Sequence, residues 1–300
     1  TLSCARVYVL VGMTFVTNGA TLTIEAGTTV LGNEASALVI TQDGYIVTNG
    51  TAEAPVVLTS VNAVSPNDRS AGDWGGLILL GSAPINVEGG TNLMEGIDIS
   101  NRDVPDNGSR YGGTDVASDC GRLNYTRVEF AGFELTLDNE LNGVTLGGCG
   151  TDTQIDYLQV HEGLDDGIEI FGGAPNLKHI VLSNIEDDSL DWDQGFHGNI
   201  QFMLIVQKGS DADNGIEADN DGDNHDAMPR SNPTLANVTM IGSEAGSHGM
   251  VLRRGTYANI KNTLVTGFPR FGLDIRGDAG AAAILSGEMS ITNSLFFKDR

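Results

Sequence analysis

Hydrophobic and polar residues alternate in five short segments of the chain, each of which begins with Gly or Ser. Two apolar residues flank a central residue that is acidic in four of the segments, as in Ile168, Glu169 and Ile170. Successive side chains of a β-strand point to opposite faces, so this pattern predicts strands with one buried and one hydrated face. The five segments are residues 167–170, 189–192, 215–218, 249–252 and 272–275.

The distance between these segments predicts the architecture. From the first residue of each segment to that of the next, the steps are 22, 26, 34 and 23 residues. A strand-sized unit that recurs at such distances is typical of a solenoid, in which each turn stacks on the one before. The β-rich runs at 20–24, 37–40, 55–58, 74–81 and 142–146 fit the same architecture. We therefore predict an all-β fold, a single-stranded right-handed parallel β-helix, as one continuous domain over residues 1–300.

Two regions modify this regular picture. The polar stretch around residues 101–121 is rich in Gly, Asn and Asp, and such composition predicts a surface excursion from the coil. No long stretch shows helical periodicity. Residues 290–297 are strand-like, and a β-helix that stops at a strand leaves an unpaired edge. We therefore expect the chain to continue beyond residue 300, or a partner to cover that edge.

Charge excludes some classes of partner. The formal net charge is −24, with only 16 Lys and Arg and an isoelectric point near 4.2. Nucleic-acid binding needs a basic surface that this chain lacks. Cations or cationic surfaces are the favoured partners. A membrane span needs about 18 or more consecutive apolar residues, and no stretch comes near that, so we predict no transmembrane segment.

Three cysteines bear on the cellular compartment. Cys120 precedes a predicted strand and Cys149 follows one, about one coil later, so the two can meet at neighbouring corners. A disulfide requires Cα atoms within about 7 Å, which adjacent turns allow. We predict a Cys120–Cys149 disulfide and hence an oxidising compartment. Cys4 is then left as an unpaired thiol, a link to another chain, or a lipidated residue.

Several motifs resemble those of a large, essentially uncharacterised group of secreted or surface-attached bacterial proteins. They lie at residues 120–134, 138–148, 165–173, 188–195 and 215–223. The resemblance covers most of the chain and implies an exported β-helix, often a lipoprotein or part of a longer surface protein. It implies no reaction. An extracellular or outer-surface location is the expectation that follows.

Carboxylates accumulate at matching positions of the predicted turns. Equivalent residues on successive turns of a parallel coil lie about 4.8 Å apart. At that distance two carboxylates repel by about 1 kcal/mol in water and several times more near a protein surface. We predict that these acidic residues bind metal: Asp165, Asp166, Glu169, Asp187, Asp188, Asp191, Asp193, Asp213, Glu217, Asp219, Asp221 and Asp223.

Calcium suits this cluster best, because it takes six to eight oxygen ligands with flexible geometry. A calcium ion here would be structural, holding together corners that otherwise repel. Two alternatives remain open: a solvated acidic face without bound metal, and a catalytic acidic cluster.

Two functional hypotheses follow from different classes. The first is a non-enzymatic extracellular or cell-surface protein, structural or adhesive, which self-associates or binds other surface proteins. The second is an extracellular polysaccharide lyase or glycoside hydrolase with its site on the acidic face of residues 165–226. A sugar-binding groove needs aromatic or basic groups, whereas aromatic residues make up 6% of the chain and few fall near the acids. The sequence therefore favours the non-enzymatic hypothesis.

Overall fold

The computed structural model describes residues 1–64, 68–136, 139–208 and 212–297. Residue 138, within one of the motifs that carry the resemblance, and residue 300, beyond which we expect the chain to continue, lie outside the described residues. The strands follow one another in this order: β1 (Val7–Leu10), β2 (Met13–Val16), β3 (Thr21–Glu25), β4 (Thr29–Gly32), β5 (Ala37–Ile40), β6 (Tyr45–Asn49), β7 (Val56–Ser60), β8 (Leu77–Leu80), β9 (Asn92–Leu93), β10 (Arg110–Tyr111), β11 (Gly121–Glu129), β12 (Glu134–Thr136), β13 (Asn139–Glu140), β14 (Val144–Gly147), β15 (Gln154–His161), β16 (Ile168–Phe171), β17 (Asn176–Ser183), β18 (Leu190–Asp193), β19 (Asn199–Val206), β20 (Ile216–Ala218), β21 (Thr234–Ile241), β22 (Met250–Leu252), β23 (Asn259–Thr266), β24 (Asp274–Ile275), β25 (Ser290–Thr292) and β26 (Leu295–Phe296).

Two long sheets of parallel strands form the body of the molecule. Sheet 1 has 13 strands, with the main order β1-β4-β7-β11-β15-β17-β19-β21-β23-β25. Sheet 2 has nine strands, in the order β2-β5-β8-β14-β16-β18-β20-β22-β24. From β14 to β24 the chain alternates between the sheets, so each turn of the coil adds one strand to each. The predicted all-β parallel β-helix is confirmed.

One continuous core runs along the axis of the coil. The inward side chains of sheet 2, such as Ile168, Ile170 and Leu190, meet those of sheet 1, such as Ile155 and Leu158. All of these side chains are almost wholly shielded from water, and burying an aliphatic side chain contributes about 1.5–3 kcal/mol. Strands held in place this way project their alternate residues outward in fixed register.

The long strands of sheet 1 bend at one residue each, so that the coil has three sides. Tyr157, His179 and Phe202 have φ values of 53°, 52° and 59°, in the left-handed region. The pairing of β15 with β17 is regular on both sides of this bend and skips it. The same conformation recurs at Asn237 and Asn262, further along the sheet.

The segment of residues 81–120, between β8 and β11, leaves the coil and packs on the outside of sheet 2. We call it the arm; it contains the antiparallel pair β9–β10. Its side chains Ile85, Met94 and Tyr111 form a second apolar core with Val39 and Ile78, which point outward from β5 and β8. Sheet 2 therefore has an apolar outer face under the arm and a polar outer face beyond it.

Helical structure is confined to two short pieces of the described chain. The helix α1 spans Asp278–Ser286, between β24 and β25, and a 3₁₀ turn spans Val61–Val64. The sequence has no long helical pattern, and α1 is only nine residues long with an Ala-rich interior. Alanine has the highest helix propensity, so the helix forms without a marked amphipathic period. No helix in the described residues is long and apolar enough to cross a membrane.

Candidate metal centre

Three carboxylates lie side by side on the outer face of sheet 2. Glu169 pairs in register with Asp191, and Asp191 pairs with Glu217. Thr145 precedes them on β14 and Val251 follows them on β22. Because the three strands pair in register, the acidic residue at the same position of each strand joins the others in a continuous column.

A second polar column occupies the corner just before each of these strands. Asn142, Asp166, Asp188, Asn214 and His248 are all at least nine-tenths buried there. Asp166 Oδ1 accepts the backbone N–H of Asp188 at 3.1 Å, and Asp188 Oδ1 accepts that of Asn214 at 2.7 Å. Asn214 Oδ1 accepts the N–H of His248 at 3.2 Å. Asp and Asn recur at this corner because their short side chains place an oxygen where it accepts the buried backbone N–H of the next turn.

The two columns and the neighbouring loop residues approach closely enough to share ions. Four groups of three acidic residues can be defined. In each group, every residue has one carboxylate oxygen that lies within 4.8 Å of an oxygen of the other two. We call the eight residues of these groups the acidic ladder: Asp165, Asp166, Glu169, Asp187, Asp188, Asp191, Asp213 and Glu217.

Burial and mutual repulsion change the acidity of the ladder. Burial raises the pKa of Asp166 well above its usual range, and the charges of Asp191 and Asp188 raise it further. The pKa values of Glu169, Asp188 and Asp191 are raised well above normal by the same two causes, burial first. In the absence of a counter-ion these groups therefore hold protons more tightly than free carboxylic acids do.

Positive charge reaches the ladder at one end. Arg253 forms an ion pair with Glu217, yet burial still leaves the pKa of Glu217 raised. Within the described part of the chain, no Lys or Arg pairs with Asp166, Glu169, Asp188 or Asp191.

At the other end, Asn142 Nδ2 donates a hydrogen bond of 2.6 Å to Glu169 Oε2. Asn142 Oδ1 and Asp191 Oδ1 are both buried without a hydrogen-bond partner among the described residues. A buried acceptor without a donor is costly, and a bound cation would satisfy it.

Four of the predicted metal ligands lie outside these groups. Asp219 is buried and bound to the guanidinium groups of Arg253 and Arg254. Burial raises the pKa of Asp193 to about 6, with Asp219 and Asp221 adding to the shift. Asp221 is buried in the following loop, where Asp223 is exposed. The structure thus divides the predicted set into the ladder, an Arg-paired site and a loop.

The spacing of the ladder oxygens can be compared with the geometry of calcium binding. Calcium–oxygen bonds are about 2.3–2.6 Å long, so oxygens on opposite sides of one ion are about 4.6–5.2 Å apart. Oxygens within 4.8 Å of one another can therefore bind a common ion without a large rearrangement. All ladder ligands are carboxylates, which are hard oxygen donors suited to calcium rather than to zinc or copper.

Comparison with protein families agrees with the β-helical coil. The family model described as a pectate-lyase-like β-helix domain matches residues 1–299. The chain belongs to this family. Among solved structures, the chain is similar to the A-module of mannuronan C-5 epimerase AlgE6 from Azotobacter vinelandii. The identity is 9% and the TM-score 0.28, with 95% of this chain and 90% of that chain covered. No curated protein matches the chain in sequence.

This pectate-lyase-like β-helix carries one disulfide, which joins the arm to the coil. Cys120, at the end of the arm, is bonded to Cys149, which follows β14, with 5.7 Å between the Cα atoms. Both residues are buried, whereas Cys4 is a free and exposed cysteine. The disulfide therefore fixes the point at which the arm returns to the coil.

An aromatic stack on sheet 1 was not foreseen from the sequence. The rings of Tyr125 and Tyr157 are parallel at 4.1 Å, those of Tyr157 and His179 at 4.3 Å, and those of His179 and Phe202 at 5.1 Å. All four residues occupy the left-handed bend of their strands. In the sequence, the only sign of the stack is that these aromatic residues recur at about the spacing of the turns. The stack lies on a different sheet from the acidic ladder.

Proposed function

We propose that this chain is a non-enzymatic structural or adhesive β-helix of the cell surface or extracellular space, stabilised by calcium bound to the acidic ladder. The observation that carries the proposal is the centre of the ladder. There Asp166, Glu169, Asp188 and Asp191 lie within ion-sharing distance, and no Lys or Arg pairs with them in the described chain.

A bound cation would offset the repulsion between the carboxylates of the ladder. At an effective dielectric constant of about 20, two carboxylates about 4.8 Å apart repel by about 3 kcal/mol. The ladder contains several such contacts, and a domain is usually stable by only about 5–15 kcal/mol. Either protons or cations must therefore reduce its charge. Calcium removes two charges per ion and can use the unpartnered oxygens of Asn142 and Asp191 as further ligands.

The extracellular location rests on two observations. Pectate-lyase-like β-helix domains are commonly extracellular. The disulfide Cys120–Cys149 is of a kind that persists in oxidising compartments.

Apolar side chains are exposed on the first and last strands, and these could contact other proteins. Val7 and Val9 on β1 expose more than half of their surface, as does Leu295 on β26. Apolar side chains beside a strand edge favour pairing with a further strand, either of a second copy or of another surface protein. We include self-association or binding to surface proteins in the proposal for this reason.

The alternative function, cleavage of a polysaccharide on the face of residues 165–226, has less support. A β-helical lyase would need a base to take a proton from the sugar, and Arg253, the Arg beside the ladder, is instead held in ion pairs with Asp219 and Glu217. The aromatic stack, which could contact sugar rings, lies on sheet 1.

Thermal melts test the proposal. The purified protein is unfolded in EDTA, then with millimolar calcium and separately with millimolar magnesium. We expect a rise in melting temperature that is selective for calcium, because the ladder offers many oxygens and little octahedral constraint. A variant with both Asp188→Asn and Asp191→Asn should lose the selective rise. An equal response to both ions would reduce the ladder to a screened acidic surface and overturn the proposal.

A further inference from the structure

A groove crosses the outer face of sheet 1 beside the aromatic stack. Its volume is about 380 Å³, which is within the range of ligand-binding pockets. It is lined by rings of the stack and by the outward side chains of Arg127, Gln159 and Val181, which pair in register on β11, β15 and β17. The groove therefore runs along the axis of the coil, perpendicular to the strands, and passes one turn about every 4.8 Å.

The aromatic stack ends in this groove at Tyr125. One face of Tyr125 contacts the ring of Tyr157, and no other ring of the described chain stacks on Tyr125. On the preceding turn the single bend residue is replaced by a loop, residues 50–55, since β11 pairs with β6 before Tyr125 and with β7 after it. Ala52 and Pro55 of this loop also line the groove. The groove thus extends from the last ring of the stack onto two small side chains.

The lining of the groove contains no acidic residue, although the chain has 40. Arg127 forms an ion pair with Glu129, so its charge is already compensated. His179 is hydrogen-bonded to Asp156 at 2.7 Å, which fixes the orientation of its ring. A metal ion would find no carboxylate ligand here, and the net charge of −24 repels a polyanion. The groove therefore suits an uncharged ligand.

We infer that this groove binds a neutral glycan that lies along the axis of the coil. The C–H face of a pyranose ring complements the negatively polarised face of an aromatic ring, and Tyr125 has one face on which no ring stacks. The amide of Gln159 can donate to one sugar hydroxyl and accept from another. The inference gives the proposed adhesive protein a partner and so rests on that proposal, but it uses no residue of the acidic ladder.

A glycan fits this groove better than a peptide does. A peptide that adds to a sheet needs free backbone groups, whereas β15 is paired with β11 on one side and with β17 on the other. A glycan needs only ring faces and side-chain donors and acceptors. Consecutive sugars of an extended glycan advance by about the distance between turns, about 4.8 Å, so each turn can contact one sugar.

Affinity electrophoresis tests the inference. The full chain is run in native gels that contain hydroxyethylcellulose, galactomannan, xyloglucan or arabinoxylan, with polygalacturonate and poly-L-proline as the anionic and peptide probes. At least one neutral polysaccharide should retard the wild-type protein. Tyr125→Asn should weaken this binding about tenfold, because the sugar loses its stacking partner. Asn suits the left-handed bend, as Asn237 and Asn262 show on later turns.

The matched control is Phe202→Asn. Phe202 is the last ring at the other end of the stack, has the same left-handed backbone with a φ of 59°, and does not line the groove. This variant loses one stacking contact, as Tyr125→Asn does, but should bind the polysaccharide like wild type. Gln159→Ala should weaken binding about two- to tenfold, and Gln201→Ala, at an exposed position of β19, should leave it unchanged.

The outcomes separate this inference from the calcium proposal. Lack of retardation by every neutral polysaccharide, binding of polygalacturonate or poly-L-proline alone, or equal effects of Tyr125→Asn and Phe202→Asn would overturn the inference. Tyr125→Asn should keep the calcium-selective rise in melting temperature. Failure of glycan binding with that rise intact leaves the calcium proposal standing. Retardation of a wild-type protein that does not respond selectively to calcium would uphold the groove and overturn the calcium site.

Discussion

Arg253 donates two parallel hydrogen bonds to Asp219, from Nε to Oδ1 at 2.8 Å and from Nη2 to Oδ2 at 3.0 Å. The same guanidinium contacts Glu217, the last carboxylate of the ladder, and Arg254 Nη1 adds a bond of 2.9 Å to Asp219. The column of acidic residues therefore ends at a position where the protein supplies its own positive charge.

Loss of this charge should destabilise the fold. Replacing Arg253 by Met leaves Asp219 buried with one cationic partner and Glu217 with none. We expect a loss of about 3 kcal/mol in the free energy of unfolding at neutral pH, measured by urea denaturation. Arg276→Met is the control, because its pair with Asp274 is largely exposed and should contribute less than about 1 kcal/mol. Equal effects of the two substitutions would contradict this assignment.

A single neutral substitution in the ladder should stabilise the metal-free protein and destabilise the protein in calcium. Asp188→Asn keeps the oxygen that accepts the N–H of Asn214 but removes one buried charge. In EDTA the variant should be more stable than wild type by about 1–3 kcal/mol, because one set of carboxylate repulsions is gone. With calcium the order should invert. Thermal melts in both conditions give the comparison, and a variant that is less stable in both would argue against repulsion.

The metal-free protein should lose stability as the pH rises. A carboxyl group whose pKa is higher in the folded chain binds its proton more tightly there, so folding is favoured at low pH. That contribution declines as the pH rises from about 4, the unfolded value, through the folded value. For Asp193 the folded value is about 6, and the raised pKa values of Asp166 and Asp191 act in the same direction.

Melting temperatures in EDTA between pH 4.5 and 8 should show this decline. Added calcium should flatten it, because the ion replaces the protons. A melting temperature in EDTA that rises across this interval would show that the ladder does not control the pH response.

The disulfide should make a separate contribution to stability. Cys120 and Cys149 are 29 residues apart, and closing a loop of that size lowers the entropy of the unfolded chain by an amount that corresponds to about 3–4 kcal/mol. The double substitution of both cysteines by Ser should reduce the free energy of unfolding by that amount. Cys4→Ser serves as the control and should have no effect, since Cys4 is exposed and unpaired.

The aromatic stack should stabilise sheet 1 despite its strained backbone. Tyr157 stacks on two rings and has a φ of 53°, which is unfavourable for Tyr and Ala but acceptable for Asn. Tyr157→Ala should cost about 1–3 kcal/mol, and Tyr157→Asn about 1 kcal/mol less. Urea denaturation of both variants measures the difference, and identical losses would show that backbone strain plays no part.

The sequence predicts the part of the site that depends on strand period alone. Once residues 167–170 and 189–192 are aligned as successive turns, Glu169 and Asp191 become neighbours, because stacked turns pair equivalent positions. The corner pair of Asp166 and Asp188 follows from the same alignment. Local repetition is sufficient because each turn contacts mainly the next one.

The arm and its contacts with the coil could not be predicted in this way. Asn86 and Asn220, which meet through a hydrogen bond, are 134 residues apart and belong to no repeat. The bends at Tyr125 and Tyr157 oppose the usual preference of aromatic residues for extended backbone, so tertiary packing decides them. Such features depend on which surfaces meet after the coil has formed.

The arm also sets the order in which the molecule can assemble. From β18 onward each turn can add to the previous one as the chain emerges, because the outward residues of β18 and β20 are acidic. The earlier strands β5 and β8 expose Val39 and Ile78 until residues 81–120 have followed and folded back. During synthesis the first turns are therefore intermediates with exposed apolar surface, which favours aggregation, and the arm is fixed in place when Cys120 forms its disulfide with Cys149.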